Sequence, residues 1–89
     1  MTVQEHILDV SGLEPPEPLE QILSALEKLK YGEHLRVLHR REPFPLYAIL
    51  NESGFAYETL PGKSTNYEIL IRHRQEREGG ETILTPKND

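Results

Sequence analysis

The stretch Glu5–Lys30, EHILDVSGLEPPEPLEQILSALEKLK, sets a strand, a turn and a helix in direct succession. EHILDV (Glu5–Val10) has strand character, and Ser11 and Gly12 end it with a turn. From Pro16 to Lys30, Leu19, Ile22, Leu23, Leu26 and Leu29 recur at the spacing that gathers them on one helical stripe. The helix ends agree with this. Prolines, Glu17 and Glu20 occupy the first turn, and Lys28 and Lys30 the last, as the helix dipole favours. Gly32 is predicted to be a left-handed cap.

Beyond this unit, His34–Arg41 (HLRVLHRR) alternates Leu35, Val37 and His39 with Arg36, Leu38 and Arg40, which predicts a second strand. Pro43 and Pro45 exclude a central strand but suit a helix start. Leu46, Tyr47, Ile49 and Leu50 then form a short apolar face closed by Gly54. Phe55–Leu60 and Asn66–His73 read as strands joined through Pro61-Gly62-Lys63-Ser64, so a hairpin is expected. The order is β-α-β-α-β-β. Each helix has one apolar stripe and each strand one better apolar face, so a single buried layer suffices.

The 89 residues fit one domain over 1–74, with 75–89 expected to be a polar, flexible tail anchored only by Ile83 and Leu84. ETILT offers weak pairing to a sheet edge. The longest apolar runs are a few residues, and the N-terminus lacks the basic-then-apolar pattern of a secretory signal, so a cytoplasmic location is expected. A chain without cysteine has no disulfide, thiolate nucleophile, persulfide or zinc-thiolate site.

The net charge of −5 speaks against general nucleic-acid binding. The charge is uneven, however. Residues 1–33 hold seven acids against two lysines, and residues 34–77 hold six arginines and one lysine against five acids.

Leu8-Asp9-Val10-Ser11-Gly12-Leu13-Glu14-Pro15-Pro16-Glu17-Pro18-Leu19 resembles the SirA/TusA sulfur-carrier signature, an L-D-x-x-G-L-x-C-P-x-P run between first strand and first helix. The likeness covers roughly residues 7–73. It continues in Gly32-Glu33-x-Leu35 and in Glu42-Pro43, close to the family's G-E-x-L and D-P. The resemblance implies an α+β two-layer sandwich, with two helices on one face of a four-stranded mixed sheet. Pro15, however, stands where those proteins keep the persulfide-carrying cysteine, and proline has no side-chain nucleophile. GLEPPEPLE is more similar to a separate, uncharacterised bacterial family of the DUF2249 type, which shares the fold without the thiol.

Two sites follow as candidates. The first is a rim made of Glu14, Pro15, Pro16, Glu17 and Pro18, joined by His39, Arg40 and Arg41 if the first two strands are parallel. It reads either as a rigid turn with solvated ion pairs, or as a docking edge or a pocket for an acidic metabolite held by arginine forks. Prolines remove donors from the helix start and Glu14, Glu17 and Glu20 repel anions, which opposes anion capture there. The second is the open sheet face, with Ile7, Arg36, Leu38, Arg40, Glu68, Leu70 and Arg72 placed there by alternation. It reads as cross-strand pairs, or as an apolar patch for self-association, for a partner or for the Ile83-Leu84 tail.

His6, His34, His39 and His73 lack metal-ligand spacing, and no nucleophile elbow or phosphate loop is present, so neither metal nor cofactor is expected. Glu14, Glu17 and Glu20 are explained by the helix dipole without acid–base catalysis. The expected role is a non-enzymatic interaction or regulatory module with a protein partner. The alternatives are a small-molecule- or cofactor-binding domain using the rim and, against the acidic charge, single-stranded RNA contact by Arg36, Arg40, Arg72, Arg74 and Tyr57.

Overall fold

The computed structural model describes residues 4–74. In chain order the elements are β1 (Gln4–Asp9), α1 (Glu17–Lys28), β2 (Glu33–His39), α2 (Phe44–Glu52), β3 (Phe55–Pro61) and β4 (Tyr67–His73). They form one four-stranded sheet in the order β1-β2-β4-β3. β1 and β2 run parallel through the α1 crossover, and β4 pairs antiparallel with both β2 and β3. This is the expected mixed sheet under two helices.

The core forms where the apolar stripes meet. Ile22, Leu26 and Leu29 come from α1 and its end, Leu46 and Leu50 from α2, and Leu35, Val37, Ile69 and Ile71 from the two central strands. Val10 and Phe55 complete the layer. Alternation leaves Arg36 and Leu38 of β2 and Glu68, Leu70 and Arg72 of β4 on the other face, as expected.

The structure corrects two local expectations. Gly32 does adopt a left-handed conformation, with φ of 88°, but α1 already ends at Lys28, where Leu29 turns extended. Gly32 belongs instead to a Lys30–Glu33 turn closed by the Glu33 amide donating to the Lys30 carbonyl at 3.0 Å. β2 also stops at His39, so Arg40 and Arg41 leave the sheet, and Arg40 is not on the open face. By contrast Gly54, with φ of 85°, follows the Ser53 cap of α2 as predicted.

The turn between β3 and β4 depends on Gly62. Its amide donates to the Asn66 carbonyl at 3.1 Å, and a Cβ built there collides with the backbone carbonyl of Thr65. The tail from residue 75 onward, with Ile83 and Leu84, lies outside the described residues. No helix among the described residues is long and apolar enough to cross a membrane.

Candidate functional site

The parallel pairing of β1 and β2 brings the ends of both strands to one rim, where the Val10 amide donates to the Leu38 carbonyl at 3.0 Å. Two connections leave that rim side by side. The first, Ser11–Pro16, enters α1 through a turn in which the Glu17 amide donates to the Glu14 carbonyl at 2.9 Å. The Pro15–Pro16 peptide bond is cis. The second, Arg40–Pro43, enters α2 with Pro43 as cap and Pro45 in the first turn.

An open groove of about 390 Å³ runs between these connections. Pro15, Pro16, Pro18, Leu19 and Ile22 form the α1 wall. Pro43, Pro45 and Leu46 form the α2 wall, with His39, Arg41 and Glu42 along the β2 end. The lining is almost wholly apolar. Of the eight rim residues read from the sequence, Pro15, Pro16, Pro18, His39 and Arg41 meet here.

The other three do not. Arg40 contacts Glu14 at 3.6 Å and lines a separate polar pocket with Ser11, Ser64, Thr65 and Asn66. Glu17 begins α1 in an exposed position outside the groove lining. The acid-to-base contact expected along this edge is thus Arg40 with Glu14, an exposed pair worth about 0–1 kcal/mol.

Three polar groups border the groove, each held differently. His39 Nδ1 accepts the Arg41 amide N–H at 3.2 Å, so the neutral ring carries its proton on Nε2. Burial, helped by the charge of Arg40, pushes the His39 pKa below 6.5. Glu42 accepts the Tyr47 hydroxyl at 3.1 Å, and Tyr47 lies 2.6 Å from the Thr59 hydroxyl and stacks on Tyr57 with ring centres 4.7 Å apart. Burial, together with the nearby carboxylate of Glu42, raises the Tyr47 pKa. Arg41 is exposed and, among the described residues, forms no ion pair.

Sequence reasoning missed Leu19, Ile22, Glu42, Pro43, Pro45 and Leu46 as groove residues. Helical period assigned Leu19, Ile22 and Leu46 to the core, and Ile22 and Leu46 are indeed only 1% exposed. What period cannot show is that the two helix starts stand apart enough to leave these side chains at the bottom of a trough. The available signal was the doubled motif of prolines at both helix starts.

The open sheet face is organised around an ion pair. Arg36 Nη1 donates to Glu68 Oε1 at 2.7 Å and its Nε to Glu5 Oε2 at 2.8 Å, tying β1, β2 and β4 together. Glu68 is only 8% exposed, and its second oxygen accepts the Lys63 amide at 3.2 Å. That amide and Arg36 hold its carboxyl below 4.5. Leu38 and Leu70 are half-buried beside the bridge, Arg72 is exposed, and Ile7 is 65% exposed. This favours the cross-strand reading of the face. Among the described residues, no three His, Asp or Glu side chains gather as a metal site.

No curated protein and no solved structure matches the chain. Residues 7–73 match the model of a family described as uncharacterized conserved protein DUF2249, a span that runs from β1 to the end of β4 and takes in both walls of the groove. The chain belongs to the DUF2249 family.

Proposed function

We propose that this chain is a non-enzymatic interaction module on a sulfur-carrier-like body, with a protein as partner and the proline-walled groove as contact surface. One observation carries the reading: Pro15, Pro16 and Pro18 converge with Pro43, Pro45 and Leu46 on one open apolar trough. Covering apolar walls of this kind is favourable, and rigid rings lose little entropy when covered. Pro15, where the resemblance to SirA/TusA puts the reactive thiol, presents only ring carbons, so shape and apolar surface are what the rim has to offer. The module works in the cytoplasm and contacts neither membrane nor nucleic acid, in keeping with its net charge of −5.

The test is site-specific photo-crosslinking in the source cell. A photoreactive residue at position 41, beside the groove, should trap one discrete protein, and Leu19→Arg, which blocks the trough, should abolish the adduct. The same probe at position 72, on the open sheet, should trap none. Adducts from position 72 alone, or adducts from position 41 that survive Leu19→Arg, would overturn the assignment.

A second reading, a small-molecule site, is favoured by the size of the groove. Its 390 Å³ lies within the range of about 300–1,000 Å³ typical of small-ligand sites. Thermal-shift screening separates the two, because a ligand that binds only the folded chain raises its melting temperature.

A further inference from the structure

Proline has no backbone N–H. Because Pro15, Pro16, Pro18, Pro43 and Pro45 all line the groove, its walls have few main-chain donors with which to pair an extended peptide. Recognition there falls to apolar packing and to the side chains at the margin. Those side chains are not equivalent. One oxygen of the Glu42 carboxylate, Oε2, accepts the Tyr47 hydroxyl. His39 uses Nδ1 as an acceptor within the chain and keeps an N–H at Nε2. Arg36 is held by Glu5 and Glu68, and Arg40 faces Glu14, whereas Arg41 has no carboxylate partner among the described residues.

The margin is therefore left with two donors, one of them a full cation. A trough of this kind matches a molecule that is apolar along its body and an anionic acceptor at one end. The one carboxylate in the groove lining is Glu42, and an amine would find only its Oε1, since Oε2 accepts the Tyr47 hydroxyl.

We infer that the groove binds a small carboxylic acid with an apolar body, the body lying between the starts of α1 and α2 and the carboxylate on Arg41, with the His39 Nε2–H as second donor. This rests on the groove being the binding surface and takes the small-molecule reading further. A guanidinium suits the carboxylate because its N–H groups form a planar fork that matches the two oxygens. The five prolines offer no main-chain N–H to an occupant, so whatever lies in the groove is held there by its apolar body and not by backbone pairing.

Octanoate is the probe and octanamide its neutral counterpart, each titrated into the full chain by NMR. Both should shift the methyl signals of Leu19, Ile22 and Leu46, and the acid should bind about threefold to fivefold more tightly. Arg41→Gln should erase that preference and leave octanamide affinity unchanged, while Arg72→Gln, on the open sheet, should alter neither. Equal affinities, or a preference that survives Arg41→Gln, would overturn the inference. A short peptide ending in leucine, as free acid and as C-terminal amide, provides the other arm. If the peptide acid binds more tightly than octanoate, the occupant is a protein chain end and the assignment to a small acid is wrong. If neither octyl compound reaches the groove while crosslinks from position 41 persist, the carboxylate inference fails and the protein-recognition reading stands.

Discussion

Leu46→Ala and Leu50→Ala remove the same atoms from the same helix, yet the structure gives them different costs. Leu50 is fully buried and stands apart from the groove lining, so its truncation leaves a sealed void. Leu46 is 1% exposed, but it lines the groove, so the space left by its truncation opens into the trough and its walls can relax. Leucine-to-alanine changes in cores cost about 2–5 kcal/mol, depending on how far the site collapses. That places Leu50→Ala at about 3–4 kcal/mol and Leu46→Ala at about 2–3 kcal/mol. A difference of about 1 kcal/mol corresponds to about 4–8 °C in melting temperature for a domain of this size. Urea unfolding followed by circular dichroism measures it, with an unchanged slope m confirming that the unfolding transition itself is the same. Equal costs, or a larger cost at Leu46, would mean that the helix starts close over the site and that the groove is not an open feature of the fold.

Acid should destabilise the domain in a defined window. The Glu68, Glu33 and Asp9 carboxyls are held below their ordinary values, Glu68 and Glu33 below 4.5 chiefly by the Lys63 and Lys30 amides, and Asp9 below 3.8 by Ser11. Their stabilisation is full above about pH 4.5 and is lost as pH falls through the folded-state values; melting curves should show that decline, and Glu68→Gln should flatten part of it. His39 works in the same sense at higher pH, since its depressed pKa means that the unfolded chain binds the proton more readily. Stability therefore rises with pH up to about 6.5 and levels off above it, and an NMR titration of the His39 ring should give a midpoint below 6.5; a higher midpoint contradicts the burial of the ring. Gly62→Ala should cost about 1–3 kcal/mol because the new Cβ meets the Thr65 carbonyl, whereas Gly12→Ala, with open space around it, should stay within about 0.5 kcal/mol in the same denaturation assay.

The fold was largely legible because its elements carry strong periodic signals. Leu19 to Leu29 sit at helical spacing, and Leu35 with Val37 alternates with Arg36 and Leu38, so element types and order follow from local pattern. Boundaries were less accessible. Arg40 and Arg41 continue the alternation of β2 in sequence, yet the strand ends at His39, and Arg40 turns instead to Glu14 on the neighbouring connection. Gly32 is left-handed, as its place in the sequence predicts, but it serves a turn and not a helix cap, because Leu29 already leaves the helix.

The site was half legible for the same reason. Parallel β1 and β2 put Pro15 and His39 on one rim, which follows from the crossover rule. The second wall, Pro43, Pro45 and Leu46, depends on how far apart two helix starts stand, a long-range distance that no local pattern encodes. Glu68 shows a related gap. Alternation placed it on the open face, but its burial arises from Arg36 and the Lys63 amide closing over it together.

The most direct measurement of where this protein makes its contacts is a methyl NMR map recorded as the crosslinked partner, or the best thermal-shift ligand, is added to the full chain. The account predicts that Leu19, Ile22 and Leu46 move while Ile7, Leu38 and Leu70 keep their free-state positions. Shifts concentrated on Ile7, Leu38 and Leu70, with the Leu19, Ile22 and Leu46 signals unmoved, would put the contact on the opposite face and contradict it.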